Sequence, residues 1–98
     1  MRLIRVEEST RPDKKLQAVF SEPAKTVHFG ARGYGDFIEY SKHSRAIGDA
    51  KRAAYIARHG ATETWTRPDT AATLSRYILW EKPSLGAAIS AFRTKFHV

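Results

Sequence analysis

The stretch KKLQAVFSEPAKTVHFG, residues 14–30, carries two runs of alternating character about a proline. In the first run Leu16, Ala18 and Phe20 fall on one side, with Gln17 and Val19 on the other. In the second, Val27 and Phe29 share a side, opposite Thr26 and His28. A period of two is the signature of a half-buried strand, and Pro23 in the SEPAK link marks the turn between. Strands are therefore predicted over about 14–22 and 25–30. Upstream, RLIRVEE alternates in the same way and predicts a strand over about 2–8. The cluster STRPDK, with Pro12 and Asp13, supplies the turn that joins it to the next. Three such strands form a meander with one apolar face, and that face needs cover.

Immediately downstream the chain enters a glycine corner, with Gly30, Gly33 and Gly35 around Arg32 and Tyr34. Glycine supplies positive φ where a strand reverses, and that reading is preferred to a phosphate grip. A phosphate cradle leads straight into a helix N-terminus, and DFIEY reads as extended or irregular. Phe37 and Tyr40 are expected to pack beneath the helices further along the chain.

Those helices are read from a change of period. SRAIGDAKRAAYIARHG predicts a helix over about 45–59, stopped by Gly60. Gly48 weakens its first turn, so the start is placed as late as Asp49, which would serve as the N-cap. A second helix, about 70–80, opens on Asp69 or Thr70 and is apolar nearly all round, the mark of burial. A third, about 84–96, is capped by Ser84 and carries Leu85, Ala88, Ile89, Phe92 and Phe96 as one stripe. The expected architecture is α+β: an N-terminal three-stranded antiparallel β-meander followed by three helices packed on it. The 98 residues fit a single domain.

Composition bounds the function. There is no cysteine, which excludes disulfides and cysteine–zinc sites. No apolar run approaches the ~20 residues of a membrane span, and MRLIRVEEST does not read as a signal peptide. A soluble intracellular protein, not secreted and not transmembrane, is expected. The net charge is +7, from 17 basic and 10 acidic residues. Residues 25–60 hold seven of the basic and three of the acidic ones, so the surplus lies in the middle of the chain. Such a surplus points to a polyanion, either nucleic acid or an acidic protein surface.

Along the first predicted helix, Arg45, Arg52 and His59 recur every seven residues, close to one line. Lys51 and Arg58 form a second line, with Lys42 and His43 just upstream. Ala50, Ala53, Ala54 and Ala57 fill the opposite face and are expected to turn inward, leaving the cations outside. Arg32, Lys42, His43, Arg45, Lys51, Arg52 and Arg58 are thus the candidate nucleic-acid contacts, Arg32, Lys42 and His43 at the edge of the patch. Ile56 is assigned to the core, and Tyr55 is either core or a stacking surface beside the arginines. The four histidines lie scattered, with no pair at helical metal spacing, and no cofactor, metal or catalytic set is assembled. Tyr34, Gly35, Arg52 or Arg58, His59 and Glu63 could supply the parts of a small phosphodiester nuclease, although neither Gly-Ile-Tyr nor Tyr-Ile-Gly occurs.

The strings KTVHFGARGYGDF, AAYIARHG, TAATLSRYILWEKPSL and FRTKF together resemble a family of small uncharacterised basic proteins of large DNA viruses of algae and protists, and of some algae. The matching positions are Lys25, Val27, His28, Phe29 and Gly30, then Tyr55, Arg58 and His59, then Trp65, then Ser75, Arg76, Tyr77, Leu79 and Trp80. The chain departs from the pattern in a less basic stretch before Tyr55 and at Ala72 and Thr73. The resemblance implies no mechanism. It implies that Arg58, His59 and Arg76 form a pattern, either a polar lock on the loop bearing Trp65 or a binding surface. The expected function is a small, basic, non-catalytic module associated with nucleic acid or nucleoprotein. The alternative is a structural component of a virion or other large assembly, working by protein contact.

Overall fold

A computed structural model describes all residues, 1–98. Strands β1 (Arg2–Glu8), β2 (Lys14–Ser21) and β3 (Lys25–Ala31) form an antiparallel sheet in the order β1-β2-β3. The alternation dictates the register. Val6, Ala18 and Val27 lie abreast, Leu3 faces Phe20, and Leu16 faces Phe29. Leu3 and Val6 are an odd number of residues apart, so a regular strand would send them to opposite faces. A bulge between Leu3 and Arg5 removes the conflict. Ile4, the residue within it, is left 46% exposed.

The opposite face of the sheet is polar. The Gln17 amide donates to Glu7 at 2.7 Å, and the Ser9 hydroxyl meets His28 Nδ1 at 2.8 Å. Glu7 also accepts from Arg5, and these two hydrogen bonds hold its carboxyl below the usual range. His28 does turn away from the layer of Val27 and Phe29.

The glycine corner behaves as a reversal, with Gly30 at φ +79° and Gly33 at φ +94°. The segment DFIEY beyond it is not extended. Residues Phe37–His43 form a helix, α1, capped by Asp36, whose carboxylate accepts the Glu39 N–H at 2.9 Å. The cap is the cause: an aspartate just before an apolar residue nucleates a turn regardless of the glycines ahead of it. The chain therefore carries four helices after the sheet, not three.

Ser44 ends α1 and at the same time caps α2 (Arg45–Gly60), its hydroxyl accepting from Ile47 N–H. Helix α2 starts there and not at Asp49. Gly48 is buried against α1: a Cβ on it would lie 2.5 Å from Ser41 Oγ. The residue that lowers helix propensity is the one that lets two helices touch.

The orientation of α2 corrects the expectation from its alanines. Gly48 and Tyr55 are buried, Arg52, Ile56 and His59 are partly covered, and Ala46, Ala50, Ala53, Ala54 and Ala57 are exposed. Area explains the inversion. Each alanine offers one methyl, whereas a tyrosine buries about 150–250 Å². The face carrying Tyr55 gains more by turning inward.

Thr70 caps α3 (Ala71–Leu74), which runs into a π-helical turn over Ser75–Leu79 and ends at Trp80. The expected helix over 70–80 is thus one segment with two hydrogen-bond registers. Ser84 caps α4 (Leu85–Phe96), whose stripe brings Ala88 and Phe92 into the core. The core joins Leu3, Phe20 and Phe29 of the sheet to Leu74, Ile78, Leu79 and Phe92 of the helices. No helix is long and apolar enough to cross a membrane.

Candidate functional site

A cleft of about 590 Å³ opens between the glycine corner, α2 and the α3 segment. Its aromatic wall is a stack of three rings. Tyr55 lies 4.5 Å from Trp80, nearly parallel, and 4.1 Å from His59 on its other side. Tyr55 and Trp80 are buried. Burial, and after it the charge of Glu63, push the Tyr55 phenol up to about 12, so it stays neutral. Tyr55 is therefore a core residue whose ring edge reaches the cleft, which settles the choice left open by the sequence.

Glu63 fixes the rim. One of its oxygens pairs with His59 Nδ1 and the other accepts the Trp65 indole N–H at 3.0 Å. A carboxylate only accepts, so Nδ1 is the donor in that pair, and Nε2 has no hydrogen-bond partner within the protein. Trp65 also packs over Gly60 and lies 5.4 Å from the Arg76 guanidinium. Arg76 is buried and bonds to the Trp80 carbonyl. His59, Glu63, Trp65 and Arg76 thus lock the loop after α2 to the π turn. Arg58 takes no part in that lock.

On the opposite wall, Lys15 donates to Asp36 at 2.8 Å, with both side chains largely buried. That pair, together with the N–H of Glu39, commits the helix-capping carboxylate. Tyr34, between Gly33 and Gly35, stands at the lip and is 74% exposed.

The candidate cations divide sharply. Lys51 and Arg58 line the cleft, are exposed and have no acidic partner; the Lys51 ammonium sits 5.4 Å from the Tyr40 ring centre. Lys42 and His43 are exposed on the last turn of α1, also without an acidic partner. Arg45 pairs along the surface with Asp49 at 3.1 Å, and Arg32 reaches Glu8 at 3.4 Å. Arg52 departs from the expected outward line. Its guanidinium donates to the Trp80 carbonyl at 2.8 Å and to Glu81, an internal pair that ties α2 to the end of the π turn. The inverted face of α2 is the cause, since the line through Arg52 and His59 is the line that turned inward.

Lys14 was not among the candidates, yet it lines the cleft without an acidic partner. The strand register could have found it: Lys14 pairs with Ala31, the first residue past Gly30. The nuclease set is partly assembled, since Tyr34, Gly35, Arg58, His59 and Glu63 share the cleft, whereas Arg52 lies outside it.

Fold and cleft together define a small basic α+β protein with a cation-rimmed, aromatic-walled groove. Residues 4–59 match the family described as "Family of unknown function (DUF5754)", and the chain belongs to it. The match spans β1 through α2, which supply Lys14, Tyr34, Lys51, Tyr55 and Arg58. No curated protein and no solved structure matches the chain.

Proposed function

We propose that this protein is a small, non-catalytic nucleic-acid-associated module that holds phosphates at the rim of the cleft. One observation carries the reading. Lys51 and Arg58, seven residues apart on α2, both face the same groove with no acidic partner to neutralise them. Lys14 completes the rim; Lys42 and His43 are exposed without an acidic partner, whereas Arg45 and Arg32 are paired with Asp49 and Glu8. Guanidinium and ammonium groups on one edge suit phosphate oxygens, and such contacts are blind to sequence.

The nuclease reading is weaker. Both oxygens of Glu63 are engaged, by His59 and Trp65, so the one carboxylate of that set is not free to act. A structural role through protein contact has a specific observation in its favour, the outward row of Ala46, Ala50, Ala53 and Ala57 with Ile47 50% exposed beside it. Co-purification with a large assembly that survives nuclease treatment would favour that role.

The test is binding of a labelled oligonucleotide followed by anisotropy at several salt concentrations. Three phosphate contacts predict a slope of log K against log salt of about −2 to −3. Lys51→Ala and Arg58→Ala should each weaken binding and shallow the slope by about one. A flat salt response, or variants that bind as the wild type does, would remove the proposal.

A further inference from the structure

We infer that the cleft accepts one unstacked base of a single-stranded nucleic acid, with Tyr34 as its stacking platform. The inference rests on the reading of the rim as a phosphate contact and adds what the cleft itself does. Three observations and one general property of duplexes carry it.

The volume of about 590 Å³ is in the ~300–1,000 Å³ range of small-molecule sites, large enough for one nucleotide. Ala54 of α2 and Ala71 and Ala72 of α3 are among the residues that line it, so a larger side chain at Ala54 would take up part of the space.

Tyr34 is held out at the lip by the reversal, 74% exposed, while the other three tyrosines are buried or half-buried. An aromatic face left in water beside free cations is the arrangement by which single strands are held: bases stack, and phosphates follow the charged edge. Lys14, Lys51 and Arg58 lie around the same opening.

Polar groups remain inside to meet a base edge. The Ser75 hydroxyl lines the cleft and has no side-chain hydrogen bond, and His59 keeps its second ring nitrogen free. Ser75 opens the π turn, a distortion that often marks functional positions in helices. Apolar walls with a few convergent polar groups are what a specific ligand site requires.

Finally, a duplex cannot use this space. Its bases are stacked within the helix, so it can offer only backbone to the rim. The cleft should therefore discriminate between strands, whereas the rim should not.

The experiment compares a pyrimidine single strand with a duplex of equal length, in DNA and in RNA, at one salt concentration. The single strand should bind roughly ten-fold tighter, a ratio in keeping with the loss of one stacked base. Tyr34→Leu should abolish the preference, Tyr34→Phe should keep it, and duplex affinity should change in neither. Ala54→Leu, on an exposed helical position with nearly unchanged propensity, should fill the groove and also remove the preference. A thermal melt of each variant checks that it folds. Equal affinity for single strand and duplex, or a preference that survives Tyr34→Leu, would overturn the inference and leave the rim proposal standing. Absence of binding to every nucleic acid would remove both.

Discussion

Among single residues, Asp69 shows how burial and charge are balanced here. Its side chain is only 5% exposed. Burial acts to raise its pKa, but the Lys25 ammonium at 3.1 Å, its backbone hydrogen bond and nearby Arg67 prevail and hold it below the ordinary carboxylate range. The consequence for stability has a definite sign. The folded state holds this proton less tightly than the unfolded chain, so its contribution is present above the unfolded pKa and is lost as pH falls through the folded one. Lys25→Met should cost about 1–2 kcal/mol at neutral pH, because it removes the nearer cation of a buried carboxylate and leaves only Arg67 at 3.4 Å. It should also flatten the acid limb of the stability curve, and Asp69→Asn should do the same. Urea melts between neutral pH and the acid range decide it: an acid limb as steep as that of the wild type would show that Asp69 is not the titrating group.

At the level of elements, α2 is where sequence and structure part company. Its extent, about 45–59, was legible from the helical pattern, although its cap is Ser44 and not Asp49 and Gly60 lies within its last turn, and the meander was legible from alternation alone. Its facing was not. Counting alanines as an inward face ignores that a helix is turned by the residue with most area to bury, and Tyr55 is that residue. Once Tyr55 turns in, Arg52 goes with it to Glu81, while Lys51 and Arg58 are carried to the cleft. The site was therefore half legible: Lys51 and Arg58 were named and Lys14 was not, and the groove that selects among the cations depends on packing between segments far apart in the chain. The helix α1 was hidden by the glycines before its cap, and nothing in SRYIL announces a π turn.

The same facing yields opposite outcomes for two small residues of α2. Gly48→Ala raises intrinsic propensity, yet the added carbon would meet Ser41 Oγ at 2.5 Å and the Ser41 backbone at 3.3 Å. Overpacking of this kind should cost about 1–3 kcal/mol. Ala53→Leu, on the exposed side, should alter stability by no more than about 0.5 kcal/mol. Were the alanine face truly inward, Ala53 would be the intolerant position and the two variants would exchange places in a denaturant melt.

For the molecule as a whole, the question is what closes a three-stranded sheet onto helices that arrive so much later in the chain. One answer lies at its far end. Arg93 of α4 donates to the carbonyl oxygens of Leu3 and Ile4, and the Leu3 N–H bonds the Val98 carbonyl at 3.2 Å. Strand β1 is an edge strand, and an open edge is a site for pairing with another chain. The end of α4 blunts that edge at the bulge, where the ladder between β1 and β2 is already interrupted. The same contacts join the first strand to the last helix, so they complete the core around Leu3, Phe20 and Phe92. Arg93→Met keeps much of the apolar stem but removes the donors, and hydrogen bonds from a charged group are worth about 1.5–3 kcal/mol. The variant should lose about that much stability. Amide exchange should quicken first in β1, while α1 and α2, which pack mainly on each other, keep their protection. With its edge uncovered, the variant should also self-associate at concentrations where the wild type does not. If exchange instead quickens uniformly and no larger species forms, the clamp contributes only general stability, and the edge of β1 is protected by its bulge alone.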